Sequence, residues 1–157
     1  RAAELADTFD LQPGASGRRT RASGGYAVVR LEAQPNIAAG QIPWGPFADV
    51  GPEPFDKLRT PPVERRFDEL SAHLVSPEQS KLPSFPPHEP VLVVERDIHR
   101  HPFAREAVDR LRSADVDVLV VDMGWPSDDR HYADVATYGA SALMGRALLT
   151  WLGMGGD

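Results

Sequence analysis

Val91–Glu95 (VLVVE) and Val116–Val121 (VDVLVV) are continuous runs of branched apolar side chains, without the in-out alternation of a half-buried strand. A strand that is apolar on both sides must be covered on both faces, and that condition is met by a parallel sheet with helices on each side. Between the two runs, the stretch from Pro102 to about Ser113 places Phe103, Ala107, Val108 and Leu111 on one helical face. Proline suits the first turn of a helix, where its missing N–H has no partner to lose. Strand, helix and strand form one βαβ unit. The expected class is α/β: a three-layer sandwich with a mostly parallel sheet, flavodoxin-like.

The flanking segments are read against that unit. Tyr26–Ala33 (YAVVRLEA) is rich in β-formers and reads as a strand. Phe67–Val75 has apolar residues at helical spacing, and Gly139–Leu152 reads as a final helix packed on the sheet. Arg1–Leu11, with Ala2, Leu5 and Phe9 on one side, reads as the end of a linker helix. Pro13–Gly25 reads as a loop in which Arg18, Arg19 and Arg21 are solvated. Gln34–Pro62 and Ser76–Pro90 are dense in proline, which interrupts helices and cannot donate to a ladder. They are expected to be loops, with a short helix near Phe55–Leu58. The expected organisation is a linker helix and flexible loop over 1–24, the sandwich domain over 25–153 and a tail at 154–157. The polar start at Arg1 does not read as a secretory signal, and the missing initiator Met leads us to expect a region upstream.

Composition removes several function classes. A length of 157 residues suits one domain, and a hydrophobic fraction of 41% is enough to bury a core. The net charge of -6 argues against binding a phosphate backbone, so no nucleic-acid partner is expected. The absence of cysteine excludes zinc ribbons, disulfide scaffolds and thiol catalysis. No apolar run reaches the length of a membrane span, and no membrane partner is expected. There is no Walker loop, no strand-linked GxGxxG and no G-x-S-x-G elbow, and no cofactor is expected. The compartment stays open.

In open parallel sheets, ligands meet the loops at the carboxyl ends of the strands. That rule selects a first loop with Asn36, Gly40 and Trp44, a second with Asp97, His99 and His101, and a third with Asp122, Trp125, Asp128, Asp129 and His131. All three should lie on one edge. If Asp97-x-His99-x-His101 were extended, its side chains would point one way, as a zinc or iron site requires. The plainer reading is that these residues cap the helix at Pro102 and bond to neighbouring loops, and no metal is expected. Val116–Pro126 (VDVLVVDMGWP) resembles the phosphoacceptor strand of a response-regulator receiver. The chain lacks that family's acidic pair after the first strand. It also has no lysine after Asp122, and only 35 residues follow that position. Trp44 and Trp125 fall on the candidate edge, where an aromatic face can stack on a sugar or seal an interface. Trp151 is expected to pack.

Several segments in order resemble the C-terminal domain of glycoside hydrolase family three, in its β-N-acetylhexosaminidase-like branch. They are Asn36-Ile37-Ala38-Ala39-Gly40 with Ile42-Pro43-Trp44-Gly45, Val93 through Pro102, Val120-Val121-Asp122-Met123-Gly124, and Ala136 through Ser141. The resemblance runs from about Tyr26 to Gly153. It implies a non-catalytic accessory domain of a β-N-acetylglucosaminidase-like enzyme. The reactive aspartate and a loop His–Asp dyad would sit on an N-terminal (β/α)8 barrel of the same parent chain. The expected partners are that barrel and an amino-sugar ligand. The expected substrate-binding residues are Asn36, Trp44, Asp97, His99, His101 and Asp122, with no catalytic residue. An apolar face around Trp44, Pro46 and Phe47 should be exposed. The alternative is a free-standing small-ligand or sugar-binding module of flavodoxin-like type.

Overall fold

The structure, a computed structural model, describes residues 1–21, 25–33, 45–47 and 73–153. In chain order its elements are α1 (Ala2–Ala6), β1 (Asp10–Leu11), α2 (Ala15–Arg21), β2 (Ala27–Leu31), a 3-10 turn at Gly45–Phe47, and β3 (His73–Val75). There follow β4 (Pro90–Glu95), a 3-10 turn at Ile98–Arg100, α3 (Pro102–Ser113), β5 (Asp117–Asp122), β6 (Val135–Ala136) and α4 (Ala142–Trp151).

The branched runs behave as their composition requires. β4 and β5 pair in parallel from Pro90 opposite Asp117 to Glu95 opposite Asp122. Val91, Val93, Val94, Val120 and Val121 are fully buried. Two cores form because both faces are apolar. On one face Val28, Leu92, Val94, Leu119 and Val121 meet Leu148 and Trp151 of α4, together with Phe9 and Ala15. On the other, Val29, Val91, Val93 and Val120 meet Ala104, Ala107, Val108 and Leu111 of α3. Each large apolar side chain so buried contributes about 1.5–3 kcal/mol. The result is a three-layer α/β sandwich.

Among the described residues the sheet has six strands in the order β3-β2-β4-β5-β6-β1. All neighbours are parallel except β1, which runs antiparallel to β6. The five parallel strands follow the flavodoxin-like order, which reverses direction between β2 and β4. The Pro-rich loop between β3 and β4 takes part of a helix's role, since its Leu82 and Phe85 pack against the α3-side core.

Four local expectations are corrected. His73–Val75, expected as the end of a helix, is a parallel edge strand beside β2. Pairing with Val29, Arg30 and Leu31 satisfies its backbone, and tertiary pairing of this kind overrides a helical spacing of apolar residues. Residues 67–72 lie outside the described residues, as does the helix expected near Phe55–Leu58. Arg1–Leu11 is helical only over Ala2–Ala6, and Asp10–Leu11 then enters the sheet. Pro13–Gly25 contains α2. Its Arg18 is not a solvated loop residue: it lies 3.1 Å from the buried Asp134. Arg19 stacks over Trp151 and donates to that residue's carbonyl. Finally, Pro46 is buried, so the apolar face expected around it is not exposed there. Gly45 sits against Met123 and donates to the Ala140 carbonyl, which seats the turn on the start of α4.

Candidate functional site

Parallel pairing of β4 with β5 brings the second and third loops to one edge of the sheet. Glu95 and Asp122 end their strands side by side. The chain turns sharply after Glu95, because Asp97 adopts the left-handed conformation (φ 56°) before the turn at Ile98–Arg100. Asn and Asp enter that region more readily than most residues.

Asp122 closes this turn. Its Oδ1 accepts the N–H of Asp97 at 2.8 Å and that of Gly124 at 2.8 Å, and its Oδ2 accepts the N–H of Ile98 at 3.0 Å. In return, Asp97 Oδ1 accepts the N–H of Trp125 at 2.6 Å. The two loops are thus tied by two aspartates. Glycine is required at 124, because a Cβ there would lie 2.5 Å from Asp97 Oδ1 and 2.7 Å from its backbone nitrogen. Burial pushes the Asp122 carboxyl above its usual range, and the three N–H donors act against that shift.

Glu95 is in a different state. It is 2% exposed, and neither of its oxygens has a hydrogen-bond partner among the described residues. Its pKa rises to about 8, chiefly because burial disfavours the charge. The carboxylates of Asp122, Glu32 and Asp97 add to the rise, and Arg96 opposes it. His101 Nε2 stands 4.0 Å from Glu95 Oε1. Glu32, just past β2, is held by Arg30 at 2.7 Å. Glu32 and Glu95 therefore flank the point where the strand order reverses.

The expected site residues separate into groups. Asp97 and Asp122 come together as braces, while His101 faces Glu95. His99 turns elsewhere: its Nδ1 is buried without a partner among the described residues, and its carbonyl accepts from Arg105. The 3-10 turn removes the extended backbone that a D-x-H-x-H metal site needs. No group of three metal-ligating side chains forms among the described residues. The capping expectation is also corrected. His101 occupies the cap of α3 without a side-chain cap bond, and its carbonyl accepts the N–H groups of Ala104 and Arg105. Asn36 and Trp44 lie outside the described residues.

No family model, curated protein or solved structure matches this chain.

Glu95, the last residue of β4, falls outside the expected set because the sequence groups it with the strand Val91–Glu95 and not with the loop that follows. The signal available was a lone acidic residue closing an apolar run, opposite another such residue at Asp122. Tyr138, Arg130 and Asp10 were also not expected at the site: Tyr138 meets the Trp125 ring, and Arg130 and Asp10 hold Tyr138 through contacts spanning up to 128 positions.

Proposed function

We propose that this chain is an accessory α/β domain of a family-three glycoside hydrolase of the N-acetylglucosaminidase-like branch. Its strand-end rim would face an amino-sugar site whose reactive groups lie on a (β/α)8 barrel. The observation that carries the non-catalytic part is the occupation of Asp122. A carboxylate that accepts three backbone N–H groups at 1% exposure is neither a free nucleophile nor a mobile base. Asp97 is engaged in the same brace, and Glu95 is enclosed. The ordered family-three-like segments and the α/β architecture support the same reading. The test is hydrolysis of an aryl N-acetyl-β-glucosaminide by the purified chain. We expect no turnover above buffer. Turnover proportional to protein and lost in Asp122→Asn would overturn the proposal.

A second reading is favoured by the strand order alone. In doubly wound sheets, small ligands bind where the order reverses, here between β2 and β4. A free-standing small-ligand module would then perturb the amide resonances of Glu32 and Glu95 when amino sugars are added. Unchanged resonances at both residues at millimolar ligand would count against it.

A further inference from the structure

Trp125 is 66% exposed, the largest value among the exposed large hydrophobic side chains described. Its backbone is nevertheless fixed, with its N–H held by Asp97 and that of Gly124 held by Asp122. The indole meets the ring of Tyr138 edge to face, with centroids 5.2 Å apart and planes at 75°. Tyr138 is 37% exposed and is itself anchored. Its hydroxyl donates to Asp10 Oδ2 at 3.0 Å and accepts from Arg130. Arg130 also lies over the Tyr138 ring at 5.6 Å and pairs with Asp10 at 2.8 Å. An exposed aromatic side chain on a braced backbone loses little freedom on binding, which is the condition for a preorganised contact.

We propose that the exposed Trp125 indole, with Tyr138 set edge to face against it, forms a stacking platform for the apolar face of a single pyranose ring, with Arg130 and Asp10 positioned at its border for the ring hydroxyls. This rests on the sugar-rim reading above and adds a subsite to it. A pyranose presents C–H groups on its faces and hydroxyls around its edge. The platform offers the complement: aromatic surface bordered by a guanidinium and a carboxylate. Arg130 is offset by Asp10 and also feels Asp128, so the border has no surplus of positive charge to attract an anion. A second copy of the chain fits less well. Two aromatic side chains offer at most about 300–500 Å², whereas a stable protein interface buries roughly 800 Å² per partner.

The test is an NMR titration of the whole chain with methyl N-acetyl-β-glucosaminide and methyl β-glucoside. Trp125→Phe assigns the Trp125 indole resonance. We expect a saturable shift of that resonance with millimolar affinity, accompanied by shifts of the Tyr138 and Gly139 amides, from which binding should be about tenfold weaker in Trp125→Ala. The backbone brace survives that substitution, and an unchanged amide spectrum elsewhere verifies it. Sugars that shift the amides from Glu95 to Ile98 but leave the Trp125 indole still would overturn the platform and spare the rim reading. No shift anywhere on the rim would overturn both. Self-association that Trp125→Ala abolishes, with no sugar-induced shift, would give the patch to a second copy and overturn the proposal.

Discussion

Asp122 and Asp97 hold each other's loops: the carboxylate of Asp122 accepts the N–H of Asp97 at 2.8 Å, and the carboxylate of Asp97 accepts the N–H of Trp125 at 2.6 Å. The residues are 25 positions apart, and each closes a turn begun by the other's strand. A rim built this way is stiff, and it uses its best carboxylates to stay so.

Removing the central acceptor should cost stability well beyond a surface change. Asp122→Ala leaves the N–H groups of Asp97, Ile98 and Gly124 without their acceptor in a mostly buried place. Each such group costs about 1–3 kcal/mol when it finds no substitute. We expect a loss of roughly 3 kcal/mol or more in urea unfolding. Asp122→Asn, which keeps one acceptor oxygen, should lose less.

Two glycine substitutions should invert the usual preference for alanine. In an exposed helix interior, Gly→Ala gains about 1 kcal/mol. In α4, however, a Cβ at Gly145 would lie 2.2 Å from the backbone of Gly45. Gly145→Ala should therefore destabilise the protein, by about 1–3 kcal/mol or more. Gly124→Ala should do likewise through its clash with Asp97, and its effect should shrink in an Asp122→Ala background, where the turn is already released. Urea titrations of the single and double variants check both.

Glu95 gives a pH dependence with a definite sign. Its folded pKa of about 8 lies above its ordinary value of 4.5, so the folded protein retains a proton that the unfolded chain releases. The stabilisation is fully present below pH 4.5 and is lost as the pH rises to about 8. Glu95→Gln does not titrate. Its stability relative to the parent should rise across that window by an amount on the order of a few kcal/mol, then level off. Unfolding curves at a series of pH values test this, and a constant difference would count against a protonated Glu95.

Ser141 offers a smaller effect for calibration. Its side chain accepts the N–H of Met144 at 3.2 Å and caps α4. Ser141→Ala should cost about 1 kcal/mol in the same assay.

The fold was legible where one element carries its own pattern. The buried runs of β4 and β5 and the apolar stripe of α3, Pro102–Ser113, are written in consecutive residues. β1, β3 and β6 are two or three residues long, and only their neighbours in the sheet define them. α2 (ASGRRTR) has almost no apolar face; Arg18 on Asp134 and Arg19 on Trp151 hold it in place. The common edge of the second and third loops followed from parallel strands, but the roles of their residues did not. Asp97 turns left-handed, so His99 and His101 diverge. The donors that occupy Asp122 are backbone groups, which no side-chain motif records.

The most direct measurement is amide hydrogen exchange in the intact protein at Asp97, Ile98 and Gly124. If Asp122 is committed to bracing the rim, these three loop amides should exchange far more slowly than free peptide, approaching the rates of β4. Exchange at free-peptide rates would mean that the carboxylate is not engaged, and the rim would then have a free acid available for chemistry.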